Sequence, residues 1–255
     1  MNSWWRIILF LIGSAVLTRF IPFSSFFRNL NTLIHEFGHA LVTLLLSGRV
    51  LRIDLNPDHS GVTYSMLPSS SYWGIMSVSL AGYILAALMS VLLFYLYYKK
   101  LAKAGLWLLT VIAVINVVFF VHEGFGFQWL LGLIVLNAAV LFIGSRRGRG
   151  SFGELMLRGY YLLIAFLILE ESALSPLVLV FYSLTEPSAA GDAANLAELT
   201  SIPALVWSLL FTLVSVYCAK LSLGWLARSW RTRRSAGSAG PAEGYPSELL
   251  RGRRM

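Results

Sequence analysis

Residues 31–48 read NTLIHEFGHALVTLLLSG, a mostly apolar run that holds two histidines and a glutamate within five consecutive positions. On a helix, positions four residues apart lie on one face, so the side chains of His35 and His39 point the same way. This HExxH spacing lets two imidazoles bind one metal ion, with Glu36 beside them as a general base. Ionisable groups inside a membrane are rare, costly and functional by default. The stretch therefore predicts a membrane helix that carries a metal site, with Asn31 or Thr32 capping its start.

The composition indicates an integral membrane protein. Of the 255 residues, 57% are hydrophobic and 13% are charged, whereas about 25% of an average soluble domain is charged. Because a span needs about 20 apolar residues, we predict an all-α polytopic membrane protein with about six to seven transmembrane helices. The predicted spans are residues 4–20, 30–46, 72–98, 106–121, 127–143, 155–169 (which reach 184 if the apolar run is continuous) and 202–226.

The charges predict how the chain is oriented. The net charge is +8, and the tail after Leu226 accounts for +5 of this charge, because it holds seven arginines and two glutamates. These arginines directly follow a span, so they fit the positive-inside rule rather than nucleic-acid binding. Seven spans with the N-terminus outside satisfy this rule. We therefore predict a polytopic transmembrane domain over residues 1–228, which holds the predicted metal site, and a basic, disordered, cytoplasmic tail over 229–255. The single cysteine, Cys218, excludes an intrachain disulfide and a cysteine-based zinc site.

Residues 48–66, GRVLRIDLNPDHSGVTYSM, interrupt the helical pattern. Apolar residues alternate on both sides of an Asn-Pro-Asp turn, which is typical of a β-hairpin. We therefore predict a small hairpin directly after the HExxH helix.

A catalytic zinc ion usually takes three protein ligands, so a third is needed beside the histidines. The candidates are His59, His122, Glu123, Glu170, Glu171 and Asp192. Asp192 lies in AAGDAANLAELTSIP, a break made of small residues between two apolar runs. Small residues allow close backbone approach, and a polar break at membrane depth is tolerated where it lines a cavity. These arguments favour Asp192 and leave the other candidates open.

The stretch HEFGHALVTLLLSGRVLRIDLNPDHSGVTY, together with GDAANLAELTSIP, resembles the site-2 protease family of intramembrane zinc metallopeptidases, in its compact bacterial branch without a PDZ domain. The resemblance implies a Zn²⁺ ion held by His35, His39 and Asp192, with Glu36 as the general base on the hydrolytic water. It also implies that the hairpin is membrane-associated, that the substrates are membrane proteins, and that the chain lies in a bacterial cytoplasmic membrane. The larger family commonly has its third ligand in Leu-Asp-Gly, whereas Asp192 here follows Gly191 and precedes Ala193.

The predicted topology conflicts with this ligand set. His35 follows Arg28 by seven residues, or ~10 Å along a helix, which places the motif toward the cytoplasmic side. Asp192 falls in a loop predicted to lie outside. Both hold only if residues 183–203 dip inward, if the second span starts later, or if the number of spans differs. A break within residues 155–184, which contain Pro176, is one such change.

Other functions share parts of this pattern. Membrane zinc proteases with a glutamate as third ligand also carry HExxH, and a membrane scaffold or chaperone can retain a metal-binding core without turnover. A glutamate-based intramembrane protease needs an arginine where this chain has Ser175. A transporter has little support, because Asn116 and Asn137 are the main other polar groups in the spans and such residues more often join helices. The oligomeric state stays open.

Overall fold

A computed structural model describes residues 24–68, 71–146 and 152–238, and within these the chain forms seven α-helices and one two-stranded hairpin. The helices are α1 (Ser24–Leu45), α2 (Tyr72–Tyr98), α3 (Ala102–Phe119), α4 (Gly124–Arg146), α5 (Phe152–Thr185), α6 (Asp192–Thr200) and α7 (Ala204–Ser238), and the strands are β1 (Arg49–Leu55) and β2 (Gly61–Met66). A short 3-10 turn, Pro187–Ala189, precedes α6. The predicted fold class is confirmed.

Five of the described helices are long and apolar enough to cross a membrane, so the chain is an integral membrane protein. They are Tyr72–Tyr98, Ala102–Phe119, Gly124–Ser145, Phe152–Thr185 and Ala204–Trp230. They correspond to the last five predicted spans. The first predicted span, residues 4–20, lies outside the described residues. The second, residues 30–46, is the helix α1, which is not among the five because its polar residues lower its hydropathy.

Three predicted boundaries are corrected. Helix α1 begins at Ser24, so Asn31 and Thr32 lie in its interior and do not cap it. Helix α5 continues through Pro176 to Thr185, so the predicted end at residue 169 is replaced by the longer range to 184 that was also given, and no break divides it. Helix α7 runs to Ser238, so residues 229–238 of the predicted disordered tail are helical. The reason is local: this segment has no helix-breaking residue before Gly237. Residues 239–255 lie outside the described part of the chain.

Close antiparallel packing of α1 against α2 sets the position of the motif. A Cβ atom at Gly38 would lie 2.9 Å from the carbonyl oxygen of Ala81, so the two backbones approach as closely as a glycine permits. The core side chains of α1, including Leu33 and Ile34, are fully buried. Although α1 carries the polar residues of the motif, its middle part, residues 29–40, is enclosed by the bundle.

The predicted hairpin is confirmed. It folds back along α1. Strands β1 and β2 pair antiparallel, from Arg49 opposite Met66 to Leu55 opposite Gly61. At the tip, Thr32 donates its hydroxyl to the carbonyl oxygen of His59 over 2.8 Å. The strand β1 is also tied to the end of α3, because the amide of Ile53 donates to Phe120. The strand β2 therefore lies beside the HExxH residues.

Candidate metal centre

The two histidines of the motif meet at one point beside α2. Their Nε2 atoms are 3.0 Å apart. Gly82 provides the space for them, because a Cβ atom there would lie 2.6 Å from the Nε2 of either ring. The ring of His35 also packs edge-on against Tyr83, with ring centroids 4.5 Å apart. One helix therefore supplies both nitrogen donors, and a glycine of its neighbour leaves room for them.

Asp192 joins the histidines from a distant part of the sequence. Its Oδ2 lies 3.2 Å from the Nε2 of His35 and 3.3 Å from the Nε2 of His39. Asp192 is the first residue of α6, a short helix that packs on the N-terminal part of α2 through a cluster of small and aromatic residues. The cluster contains Ala190, Ala193, Ala194, Leu196 and Phe211, with Met76, Leu80 and Tyr83 against it.

The position of α6 agrees with one of the changes that the topological conflict required, a fold of residues 183–203 toward the motif. The segment 183–203 does not stay a peripheral loop, because it folds onto α2 at the level of the motif. Asp192 is therefore not separated from the histidines, as the predicted topology had required.

The other predicted candidates for the third ligand are not brought to the two rings among the described residues. They are His59, His122, Glu123, Glu170 and Glu171. Glu171 forms an ion pair with Arg28, and the Nδ1 of His59 lies 3.1 Å from the Oδ1 of Asn29. His122 and Glu123 are exposed at the turn between α3 and α4. The geometry therefore selects Asp192 as the partner of the two histidines.

The chemistry of the three donors fits a divalent cation. The Nδ1 of His39 lies 2.7 Å from the carbonyl oxygen of Val78, which can only accept, so this nitrogen carries the proton. In a neutral imidazole the Nε2 is then an acceptor, and it faces the Oδ2 of Asp192, which is also an acceptor. A cation between these two acceptor atoms relieves their repulsion. The Nε2 of His35 is a third possible metal ligand at the same point, and three converging ligand atoms favour a metal ion over a proton.

The distances between the donors are compatible with a zinc ion. Donors about 2.0–2.1 Å from a tetrahedral zinc ion lie about 3.3 Å from one another, and the three observed separations are 3.0, 3.2 and 3.3 Å. The hydrogen bond from His39 to Val78 is also the kind of outer contact that fixes the tautomer of a zinc-binding histidine. His35, His39 and Asp192 can therefore hold Zn²⁺.

Glu36 is held beside this group by the hairpin. Its side chain is buried, and its Oε2 accepts a hydrogen bond of 2.7 Å from the hydroxyl of Thr63 in β2. The strand comes this close because Gly61 has no side chain: a Cβ atom there would lie 2.9 Å from the Oε1 of Glu36. Thr63 and Gly61 were not identified from the sequence, because nothing in their local pattern marks these contacts.

The donors and Glu36 line a cavity of about 470 Å³. Its walls come from α1, α2, α5, α6 and β2, and they include Asn31, Val62, Thr63, Val78, Tyr83, Ser175 and Asn195. The cavity therefore offers, in one place, three metal donors, one buried carboxylate and the side of a β-strand.

Comparison with known proteins adds one finding. A family model described as Peptidase M50B-like matches residues 7–222, which is most of the chain and includes every residue of the centre. No curated protein and no solved structure gave a match.

Proposed function

Because the chain belongs to the Peptidase M50B-like family, which is the site-2 protease family, we propose that it is a zinc-dependent protease that hydrolyses peptide bonds of membrane-embedded proteins. The observation that carries this proposal is the convergence of His35, His39 and Asp192, with separations of 3.0 to 3.3 Å, in a cavity that Glu36 also lines. Family membership makes the chain a peptidase relative, and the geometry supports the roles that we propose for its residues.

Each residue of the centre has one role in the proposed reaction. His35, His39 and Asp192 would hold Zn²⁺, which when bound supplies Lewis acidity for water and for the scissile carbonyl. The carboxylate of Glu36 takes a proton from the attacking water as its oxygen bonds to the carbonyl carbon, and returns it to the nitrogen as the C–N bond breaks. Thr63 donates to Oε2 and so orients this carboxylate.

The hairpin supplies a way to hold the substrate. A helical segment hides its peptide bonds, whereas a segment added to a sheet edge is extended and accessible. The first strand, β1, pairs with β2 on one side. Along its other edge, β2 makes no backbone hydrogen bond to the described residues, and its residues Gly61, Val62 and Thr63 line the cavity beside Glu36. We therefore propose β2 as the strand onto which the substrate is added.

The basic helix ends support the predicted orientation. Trp225 of α7 packs against Tyr95 and Tyr98 near the end of α2, so Lys99 and Arg228 lie at the same end of the bundle. Under the positive-inside rule this end faces the cytoplasm. We propose on this basis a bacterial cytoplasmic membrane and a cytoplasmic tail.

The test compares zinc content with peptide hydrolysis in the purified full-length protein. The probes are fluorescein-labelled casein and a panel of single-span reporter proteins tagged at both ends, with the cut positions mapped by mass spectrometry. We expect one zinc ion per chain in the wild type and in Glu36→Gln, with no cleavage by the variant. His35→Ala, His39→Ala and Asp192→Ala should lose both zinc and cleavage.

Each alternative predicts a different result. A glutamate as third ligand requires that Asp192→Ala keep its zinc and that Glu123→Ala, Glu170→Ala or Glu171→Ala lose it. A scaffold or chaperone requires stoichiometric zinc without cleavage of any reporter. A Glu36→Gln protein that cleaves like the wild type would end the proposed mechanism.

A further inference from the structure

Asn31 is a buried polar residue of the cavity that the proposed mechanism does not use. It lies inside α1, one turn before His35, and its side chain lines the cavity. Only 8% of the residue is exposed, and its Oδ1 has no hydrogen-bond partner. Asn31 therefore has a carboxamide with an unpaired oxygen, on the same face of the helix as His35 and His39.

Such a residue needs a physical reason. Asparagine is a poor residue for a helix interior, and an unsatisfied buried polar group costs about 1–3 kcal/mol. Three other described side chains also have a buried atom without a partner: Thr43, Asn116 and Ser215. None of these lines the cavity, whereas Asn31 does. A ligand bound in the cavity could therefore form a hydrogen bond with the Oδ1 of Asn31 and remove the free-energy cost of leaving it unpaired.

The carboxamide matches the main chain of a peptide. It offers one acceptor and two donors, so it can accept from a backbone N–H and donate to a backbone carbonyl at once. One helical turn separates Asn31 from His35, about 6 Å along the axis. An extended chain advances about 3.3 Å per residue, so this distance corresponds to about two residues of substrate.

We propose that Asn31 binds the main chain of the extended substrate, about two residues from the scissile bond, through its carboxamide. The inference rests on the proposed function, because it concerns the substrate of the same site. It assigns to Asn31 the task of fixing the register of the substrate relative to the zinc ligands. The polar neighbours Ser175 and His59 line the same cavity.

The experiment uses a fluorogenic peptide that spans a cut mapped in casein, and a set of variants of it in which one amide is replaced by an ester. The ester removes a backbone N–H and is moved through the three residues on each side of the cut. At the position that Asn31 contacts, we expect the ester to lower kcat/KM of the wild type about tenfold, as loss of one hydrogen bond does. For the Asn31→Ala variant, kcat/KM on the all-amide peptide should be lower than that of the wild type by about the same factor. Replacing the amide by the ester should then lower kcat/KM of this variant by less than about twofold.

Asn116→Ala is the matched control, because it also removes a buried carboxamide with an unpaired oxygen, but in α3 and away from the cavity. It should keep the zinc, the activity and the full effect of the ester. Asn31→Ala should also keep one zinc ion per chain. An ester effect of the same size in Asn31→Ala as in the wild type, or loss of zinc in Asn31→Ala, would overturn the inference and leave the protease proposal intact. A wild type that binds zinc and cleaves neither casein nor any reporter would instead remove the protease proposal on which the inference rests.

Discussion

The substitution Gly82→Ala should remove zinc from a protein that still folds. The added Cβ atom would lie 2.5 Å from the Cε1 of His35 and 2.6 Å from the Nε2 of both His35 and His39. Ordinary contact begins at 3.4 Å, so each nitrogen must move by about 0.8 Å, whereas metal–ligand distances tolerate about 0.2 Å. The rings cannot turn away freely, because the Nδ1 of His39 is hydrogen-bonded to the carbonyl oxygen of Val78 and the ring of His35 packs on Tyr83.

We expect the affinity for zinc to fall on the order of 100-fold or more, the upper end of what disturbed outer contacts of a zinc site cause. The helix itself should tolerate the change, since alanine is favoured over glycine in a helix interior by roughly 0.5–1 kcal/mol. The affinity is measured by competition with a chromogenic chelator on the solubilised full-length protein, and folding by the thermal unfolding midpoint of the zinc-free form.

Gly159→Ala in α5 is the control, because a Cβ atom there meets nothing within 4 Å. It should bind zinc and cleave casein like the wild type. A Gly82→Ala protein whose zinc affinity lies within about threefold of the wild type, less than the effect of one outer contact, would refute the assignment of the two Nε2 atoms as metal donors.

Two further predictions concern contacts around the centre. Thr63→Val keeps the shape and the strand preference of the residue but removes the hydroxyl that donates to Glu36. We therefore expect kcat to fall about tenfold, while the zinc content measured by mass spectrometry is unchanged. Thr63→Ser should keep most of the activity, and a fully active Thr63→Val enzyme would contradict the positioning role of Thr63. Arg28→Ala and Glu171→Ala each leave one partly buried charge of the α1–α5 ion pair without its partner, so each should lower the thermal unfolding midpoint, and the double variant should lower it by less than the sum of the two. Additive effects would show that the pair does not couple the helices.

The spans could be predicted from the sequence because lipid leaves few options for the backbone. Every polar backbone group in the bilayer must be satisfied within the helix, so long apolar runs are helices, and five of the predicted spans are found. The start of α1 was predicted too late, because the contacts that order it are long-range. Phe26 packs on Trp129 and Phe27 on Tyr160, and a single sequence does not show which aromatic residues will meet.

Pro176 illustrates a second limit. A proline inside a helix removes one hydrogen bond and usually kinks or ends the helix, which is why the sequence left open whether the helix is continuous or broken. The proline is buried in the continuous helix α5, beside the buried residues Ala173 and Ser172. Packing of this face against the bundle outweighs the local preference, and local rules cannot measure that packing.

The centre itself divides into a local and a non-local part. His35 and His39 are four residues apart, so helix geometry alone brings them together. Asp192 reaches them from 153 residues beyond His39, through a short helix whose small residues Ala190, Ala193 and Ala194 allow close approach. The composition of that segment favoured Asp192 over five rivals, but only the packing of α6 on α2 removes the rivals.

Gly61 and Gly82 carry the least local information and have the strictest steric roles. In a sequence, a glycine inside a strand or a helix indicates only a weakened element. In the structure each lies where any side chain would displace a reacting group, Glu36 in one case and the two histidines in the other. The positions of the proposed zinc donors and of the proposed base therefore depend on two residues that have no functional group. Substituting them tests the geometry of the site separately from its chemistry, because every donor atom and the carboxylate are still present in the variant protein.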